Sequence, residues 1–153
     1  MKLCIISVGK KHDSTIAEAI AEYEKRIGRV VSLEWRFIPP SMLDADIARK
    51  AESVKISEAL KESDTVWLLD ERGEQITSPA LSAKLQVLKV HAASRLVIII
   101  GGAFGVDESL RVRANWVWSL SSLVFPHQLV RLLLVEQLYR ATEIEKGSGY
   151  HHA

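Results

Sequence analysis

Residues 95–105, RLVIIIGGAFG, run from an apolar stretch directly into three glycines, Gly101, Gly102 and Gly105. A short apolar run rich in β-branched side chains predicts a strand that is buried on both faces. The glycines after it would allow the backbone to approach a ligand closely. They fit a tight strand-to-helix turn equally well, so a nucleotide-cofactor loop and a plain turn are both open interpretations.

The same alternation of apolar strands and amphipathic helices extends outward from this stretch in both directions. Strand patterns cover residues 2–8, 30–38, 65–69, 95–100 and 116–120, and helix patterns cover 14–27, 43–62, 78–91, 107–113 and 126 to about 145. In the helix of residues 43–62 we expect Ile47, Ala51, Val54 and Ala59 to face inward. This order predicts a single α/β domain over residues 1–153, with a parallel or mostly parallel sheet covered by helices on both faces.

Composition limits the classes of protein that the chain can belong to. It has 153 residues, of which 48% are hydrophobic and 25% charged, with a net charge of +1 and one cysteine, Cys4. We expect a cytoplasmic globular protein without a membrane span, because no apolar run approaches bilayer length and a single cysteine cannot form an internal disulfide. Nucleic-acid binding would need a local basic surface, since the whole chain is nearly neutral.

Two loops are predicted to meet at the carboxyl edge of the sheet, where ligands bind in such folds. They are residues 69–73, LDERG, and residues 101–105, GGAFG. A dinucleotide site of the G-x-G-x-x-G type is disfavoured because the third glycine is misplaced and no Asp or Glu occurs from Ser109 to Val135. The histidines and the cysteine show no metal-ligand spacing, so no metal is expected.

The acid-free region contains basic side chains that could bind phosphates. Arg131 interrupts the apolar run of residues 129–135, LVRLLLV, and a buried arginine needs a partner or a cleft. His127 lies one turn earlier on the same face of the helix, as either a site residue or a helix-end contact. Arg140 lies half a turn away from Arg131, so the two cannot serve one site within one subunit, and it has Glu136 available as a simple ion-pair partner.

The last helix and the tail suggest two further features. A helix that is apolar nearly all round needs a second surface to cover it, and a homodimer would provide one. After Gly147-Ser148-Gly149 the chain ends with Tyr150, His151 and His152 before Ala153. Tyr and His side chains can stack on and hydrogen-bond to a base, although a frayed terminus is the alternative.

Taken together, these stretches resemble the RlmH family of the SPOUT (α/β-knot) methyltransferases. The resemblance runs from MKLCIISVGK and AEYEKRI through LLDERG and IIGGAFG to LSSLVFPHQLVRLLLVEQLYRATEIEKGSGYHH. It implies a trefoil-knotted fold and a homodimer whose active site is shared between subunits. It also implies methylation of N3 of a pseudouridine in helix 69 of 23S rRNA, with S-adenosyl-L-methionine as cofactor, on assembled 70S ribosomes. Another SPOUT target and a non-catalytic ribosome-binding factor are the alternatives.

The resemblance also assigns residues by position. The implied cofactor site comprises Leu69, Gly101, Gly102, Gly105, Leu120, Ser121, Ser122, Leu123, Val124 and Phe125. The implied RNA-facing residues are His127, Arg131, Tyr150 and His151, and the catalytic candidates are Arg131, Arg140, His151 and His152. We expect Arg131 or Arg140 to stabilise charge that develops on the base, and His151 or His152 to accept a proton. His152 stands where the family usually has a basic residue, which changes the charge available at that position.

Overall fold

A computed structural model describes residues 1–152 as ten alternating strands and helices. The strands are β1 (Lys2–Val8), β2 (Ser32–Ile38), β3 (Thr65–Glu74), β4 (Arg95–Ile100) and β5 (Trp116–Trp118). The helices are α1 (Ser14–Ile27), α2 (Ala45–Ala59), α3 (Ser78–Val90), α4 (Glu108–Arg113) and α5 (His127–Lys146). These positions confirm the strand and helix pattern predicted from the sequence.

The five strands form one sheet in the order β2-β1-β4-β3-β5, and every pairing is parallel. The apolar β4 lies between β1 and β3, with Ile98 paired to Ile5 on one side and to Trp67 on the other. Because all carboxyl ends point the same way, the loops after β3, β4 and β5 share one edge of the sheet. The predicted mostly parallel α/β sheet is therefore confirmed.

The core has two layers, one on each face of the sheet. On one face α5 packs between α1 and α3, and its Leu134 and Leu138 contribute to the larger apolar cluster. On the other face α2 and α4 cover a second cluster that includes Ile56 and Leu110. Burial on both faces accounts for the nearly continuous apolar runs of β1 and β4.

Strand β3 is longer than its apolar run because it continues irregularly past the edge of the regular sheet. Its register with β5 shifts between Leu69 and Glu74, and both of these residues pair with Trp118. Gly73 lies so close to β5 that a Cβ there would be 2.7 Å from the backbone of Val117. Only glycine allows this approach, and the irregular segment projects Asp70 and Arg72 over the carboxyl edge.

The predicted inward face of α2 is wrong for Ile47 and Val54. Their side chains are 55% and 49% exposed, whereas Ala48 and Ile56 are fully buried. The helix is rotated by about one residue because two polar side chains, Glu52 and Ser53, turn inward to bind backbone N–H groups of neighbouring loops. Hydrophobic spacing could not anticipate this, since the partners belong to loops distant in sequence.

Candidate cofactor and RNA site

A cavity of about 360 Å³ opens at the carboxyl ends of β3, β4 and β5. It is lined by residues of three loops and the start of α5: Leu69–Arg72, Ile100–Gly105, Leu120, Ser121, Leu123–Phe125, His127 and Val130. Nine of the ten residues implied as the cofactor site lie in this wall, and Ser122 does not. The structure therefore brings together three segments that are distant in sequence. Leu69 in the first and Leu120 in the last are 51 positions apart.

The loop after β4 is both a tight turn and a wall of the cavity. Gly105 has φ +74°, and its N–H donates to the carbonyl of Gly102 at 3.0 Å. A Cβ on Gly102 would lie 2.5 Å from Oε1 of Glu52 and 3.1 Å from Cγ1 of Val8. A tight turn and a cofactor loop are thus compatible interpretations of the glycines, because the turn needs glycine at positions where the cavity wall has no room for a side chain.

Helix α2 binds two neighbouring loops, the one after β4 through Ser53 and the one after β2 through Glu52. The N–H of Asp107 donates to Oγ of Ser53 at 2.9 Å, and the N–H of Ser41 donates to Oε2 of Glu52 at 2.8 Å. Glu52 is 4% exposed, and its Oε1 has no hydrogen-bond partner within residues 1–152. A buried oxygen without a partner is uncommon and costly, so it marks a point of functional interest.

Asp70, another residue of the cavity wall, is held by two arginines. Arg72 donates to it from its backbone N–H at 2.9 Å and from Nε at 3.2 Å, and Arg111 forms a further ion pair. Burial alone raises the pKa of Asp70, but the bonds from Arg72 and Arg111 outweigh it and hold that pKa below its usual value. Arg111, which belongs to the stretch without acids from Ser109 to Val135, therefore has its acid partner in β3.

His127 begins α5 and forms part of the cavity wall. Burial and then the charge of Arg131 lower the pKa of His127, while Glu52 acts in the opposite direction. A lowered pKa keeps the imidazole neutral near pH 7, so it can accept a hydrogen bond as well as donate one.

Arg131 is fully buried behind the cavity and is not part of its wall. Its Nε donates to Oγ of Ser7 at 3.0 Å, its Nη1 donates to the carbonyl of Lys10 at 2.8 Å, and its Cζ lies 5.0 Å from the ring centre of Phe37. Burial lowers the pKa of Arg131. These contacts tie α5 to the carboxyl end of β1, close to the edge where the site lies.

The tail folds back on α5 and forms a second group of candidate side chains. Arg140 pairs with Glu136, with Nε 3.0 Å from Oε1, and its Nη1 lies 3.4 Å from Nδ1 of His151. The hydroxyl of Tyr150 donates to the same carboxylate at 3.2 Å, and Cζ of Arg140 lies 4.8 Å from the centre of the Tyr150 ring. His152 is exposed beyond this group. We call Glu136, Arg140, Tyr150 and His151 the tail cluster.

The electrostatics of the tail cluster follow from these contacts. The hydrogen bond to Glu136 raises the pKa of Arg140, so this side chain remains charged. Burial, a hydrogen bond with Tyr23 and the charge of Glu136 raise the pKa of Tyr150, so its hydroxyl remains protonated. The cluster therefore presents a fixed cation, a phenol and an imidazole side by side.

The cavity and the tail cluster occupy different sides of α5. His127 of the cavity wall and Glu136 of the tail cluster are nine residues apart on α5, which is half a turn in angle and about 13.5 Å along the axis. The rim of the cavity is apolar and open, with Phe104, Leu123 and Val124 exposed. Such a patch is typical of a surface that another molecule covers.

Sequence reasoning missed Glu52 and Ser53 as parts of the site, whereas Asp70 lies in the predicted loop of residues 69–73. Glu52 and Ser53 lie in an ordinary amphipathic helix, and their role depends on loops that follow β2 and β4. Asp70 was visible as the end of an apolar strand, but its two arginine partners were not. Within residues 1–152 no group of three or more potential metal ligands lies together, and none of the helices there is long and apolar enough to cross a bilayer.

Comparison with known proteins assigns the chain to a family. A family model described as "Predicted SPOUT methyltransferase" matches residues 1–151. The chain belongs to the SPOUT methyltransferases.

Among curated relatives, it is 40% identical over 154 residues to the ribosomal RNA large subunit methyltransferase H of Geobacter metallireducens, covering 100% of both chains. It is 38% identical over 155 residues to the protein of the same name from Cytophaga hutchinsonii, covering 99% of this chain and 100% of that one. These full-length matches support the resemblance to the RlmH family.

A solved structure shows the same fold at low sequence identity. A probable methylase family protein from Haemophilus influenzae Rd KW20 superposes with a TM-score of 0.56 at 14% identity. The match covers 95% of this chain and 66% of that one, so the likeness concerns the fold alone.

Proposed function

We propose that the protein transfers a methyl group from S-adenosyl-L-methionine to N3 of a pseudouridine in 23S rRNA. The observation that carries the proposal is the cavity, which gathers nine residues of the implied cofactor site at the carboxyl edge of the sheet. The rRNA large subunit methyltransferases named above match this chain along its whole length, which supports an rRNA substrate over an unrelated one.

The cavity fits this cofactor by size and by lining. About 360 Å³ is within the range of small-molecule sites, and the walls combine apolar side chains with backbone groups and the Ser121 hydroxyl. Leu69 and the segments 101–105 and 120–125 would hold the adenosine and methionine parts. When bound, the cofactor supplies a methyl group already activated by a positively charged sulfur.

The residues of this chain must then orient the base, accept the N3 proton and stabilise charge on the base. Of the two arginine candidates, Arg140 is the better placed for direct contact, because Arg131 is enclosed by Ser7, Lys10 and Phe37. Arg131 would affect the reaction indirectly, because its contacts with Ser7 and Lys10 fix the position of α5 and therefore of His127. Of the two histidines, His151 contacts Arg140 whereas His152 is exposed, which favours His151 as the proton acceptor.

The separation of the cavity and the tail cluster supports a homodimer in which each site combines both. The exposed Phe104, Leu123 and Val124 around the cavity provide an apolar surface for the second chain. The tail cluster of one subunit, with Tyr150 for stacking, would then reach the base held at the cavity of the other.

We further propose the assembled 70S ribosome in the cytoplasm as substrate. A nearly neutral chain offers little charge to hold naked RNA, so the ribosome would have to supply much of the contact surface. Equal methylation rates on ribosomes and on a free stem-loop oligonucleotide would contradict this preference.

One experiment tests the proposed activity directly. Ribosomes from a strain without this enzyme are incubated with the protein and tritiated S-adenosyl-L-methionine, and the label is mapped by nuclease digestion and mass spectrometry. We expect label at N3 of a pseudouridine in helix 69 of 23S rRNA. Label elsewhere favours another SPOUT target, and absence of both label and cofactor binding in calorimetry favours a non-catalytic ribosome-binding factor.

A further inference from the structure

The buried carboxylate of Glu52 has no cationic side chain paired with it anywhere in residues 1–152, where no salt bridge involves it. One oxygen accepts a single backbone hydrogen bond, and the other, Oε1, has no partner in that part of the chain. A carboxylate placed in this way retains an electric field that its surroundings do not cancel.

The free oxygen lies next to Gly102, one of the three glycines in the cavity wall. Gly102 lines the cavity, and a Cβ on its far side would lie 2.5 Å from Oε1. Glu52 also influences the pKa of His127, another wall residue. The carboxylate is therefore close enough to act on what the cavity holds.

Other acids near the cavity are less able to exert such a field. Asp70 lines the cavity but is paired with both Arg72 and Arg111. Glu71 lines it as well but is exposed, so water screens its charge. Glu52, behind the wall, is buried from water and has no cationic partner within residues 1–152, so neither screening nor an ion pair reduces the effect of its charge.

We infer that Glu52 makes the cavity prefer the positively charged methyl donor over the product that lacks this charge. The inference rests on the proposed function, in which S-adenosyl-L-methionine binds here and S-adenosyl-L-homocysteine leaves. The sulfonium of the donor is positive and the thioether of the product is neutral, while the rest of the two molecules is the same. A fixed negative charge behind Gly102 stabilises the first and has little effect on the second, which also favours release of the product.

The test compares the affinity of both molecules in isothermal titration calorimetry. E52Q keeps the size of the side chain and an oxygen for the Ser41 N–H but removes the charge. We expect it to weaken binding of S-adenosyl-L-methionine about tenfold and to leave binding of S-adenosyl-L-homocysteine within about twofold. The matched control is E58Q, which removes an exposed carboxylate from the same helix and should change neither affinity.

Each outcome distinguishes one cause from another. If E52Q weakens both molecules equally, Glu52 only supports the loop and the inference is wrong. If the wild-type protein binds neither molecule, the proposed cofactor is wrong instead. If E52Q does not fold, E52D is measured instead, because it keeps the negative charge. We expect E52D to bind S-adenosyl-L-methionine in preference to S-adenosyl-L-homocysteine even if both affinities fall. Loss of this preference in E52D would overturn the inference.

Discussion

At the scale of single residues, Gly102 is the position where the cavity tolerates least change. A methyl group there would lie 2.5 Å from Oε1 of Glu52 and 3.1 Å from Cγ1 of Val8, both in the buried layer behind the loop. We expect G102A to displace the loop, to lower the affinity for S-adenosyl-L-methionine at least tenfold, and to reduce the free energy of unfolding by about 1–3 kcal/mol. Calorimetry and urea denaturation measure these two effects.

Gly149 provides the matched control for this substitution. A Cβ at Gly149 would meet nothing within 4 Å, and its φ lies outside the left-handed region. G149A should therefore leave the affinity for the cofactor within twofold of the wild type. Equal losses in G102A and G149A would contradict the packing argument.

The two partly buried histidines predict how stability depends on pH. Burial and then Arg131 lower the pKa of both His12 and His127 below the ordinary value of 6.5. As the pH falls below 6.5, the unfolded chain takes up these protons before the folded protein does. The free energy of unfolding should therefore decrease as the pH falls from 6.5 towards 5, by at most about 1.4 kcal/mol per pH unit for each histidine.

Substitution of His127 isolates its share of this dependence. H127Q removes one titrating group, so a plot of unfolding free energy against pH should become less steep between pH 6.5 and 5. H91Q, at an exposed histidine after α3, serves as the control. The slope is the relevant measurement, since the substitution can change the overall stability for other reasons. An unchanged slope in H127Q would show that His127 does not titrate in this way.

Arg131 shows what sequence can and cannot reveal about a residue. Its place inside an apolar run correctly indicated that it is buried and needs partners. The partners themselves, Ser7 and the carbonyl of Lys10, lie more than 120 positions away and become neighbours only when α5 docks on the edge of β1. Local spacing carries no information about such contacts.

At the scale of elements, α2 offers a direct test of which face is buried. Ile47 and Ile56 are the same residue type on the same helix, with 55% and 0% exposure. We expect I56A to lower the free energy of unfolding by about 2–5 kcal/mol, because it opens a cavity in the core. We expect I47A to change it by less than about 0.5 kcal/mol. Urea denaturation of both variants is the measurement, and similar losses would show that the helix is rotated differently.

Helix α2 also marks the limit of pattern-based prediction for elements. The existence and the approximate bounds of all ten elements follow from hydrophobic periodicity and from glycine and proline positions. The rotation of α2 does not, because Glu52 and Ser53 turn inward to satisfy loop N–H groups. The hydrogen bonds of Glu52 and Ser53, and not the apolar pattern, therefore determine which face of α2 is buried where this helix supports the cavity.

At the scale of the whole molecule, neither the order of the strands nor the chain path implied by the family follows from periodicity. A sheet order of β2-β1-β4-β3-β5 requires crossovers that no local signal specifies. The resemblance to the RlmH family was needed to connect Leu69 with the segment 120–125 before the structure placed them in one wall. The remaining question at this scale is whether one chain contains a whole site.

Arg140 gives a prediction about how binding and chemistry are divided. It lies in the tail cluster, thirteen residues and about 19.5 Å along α5 from His127 of the cavity wall, and it does not line the cavity. We therefore expect R140A to reduce methyl transfer to ribosomes at least a hundredfold while its affinity for S-adenosyl-L-methionine stays within about threefold. Single-turnover assays and calorimetry measure the two quantities. A large loss of cofactor affinity would contradict this division and place Arg140 in a cofactor site.

Mixed dimers decide whether the cavity and the tail cluster act across two chains. Two differently tagged chains, one with G102A and one with R140A, are expressed together and the mixed dimer is isolated through both tags.

If each site combines the cavity of one chain with the tail cluster of the other, one of the two sites in the mixed dimer is free of both substitutions. At a cofactor concentration below saturation, the mixed dimer should then recover up to about half of the wild-type activity, although each variant alone retains at most about a tenth of it. If each chain carries a complete site, both sites in the mixed dimer are damaged and no activity returns. Because both substitutions are present in the same amounts in either case, a recovery could come only from a site that the two chains share.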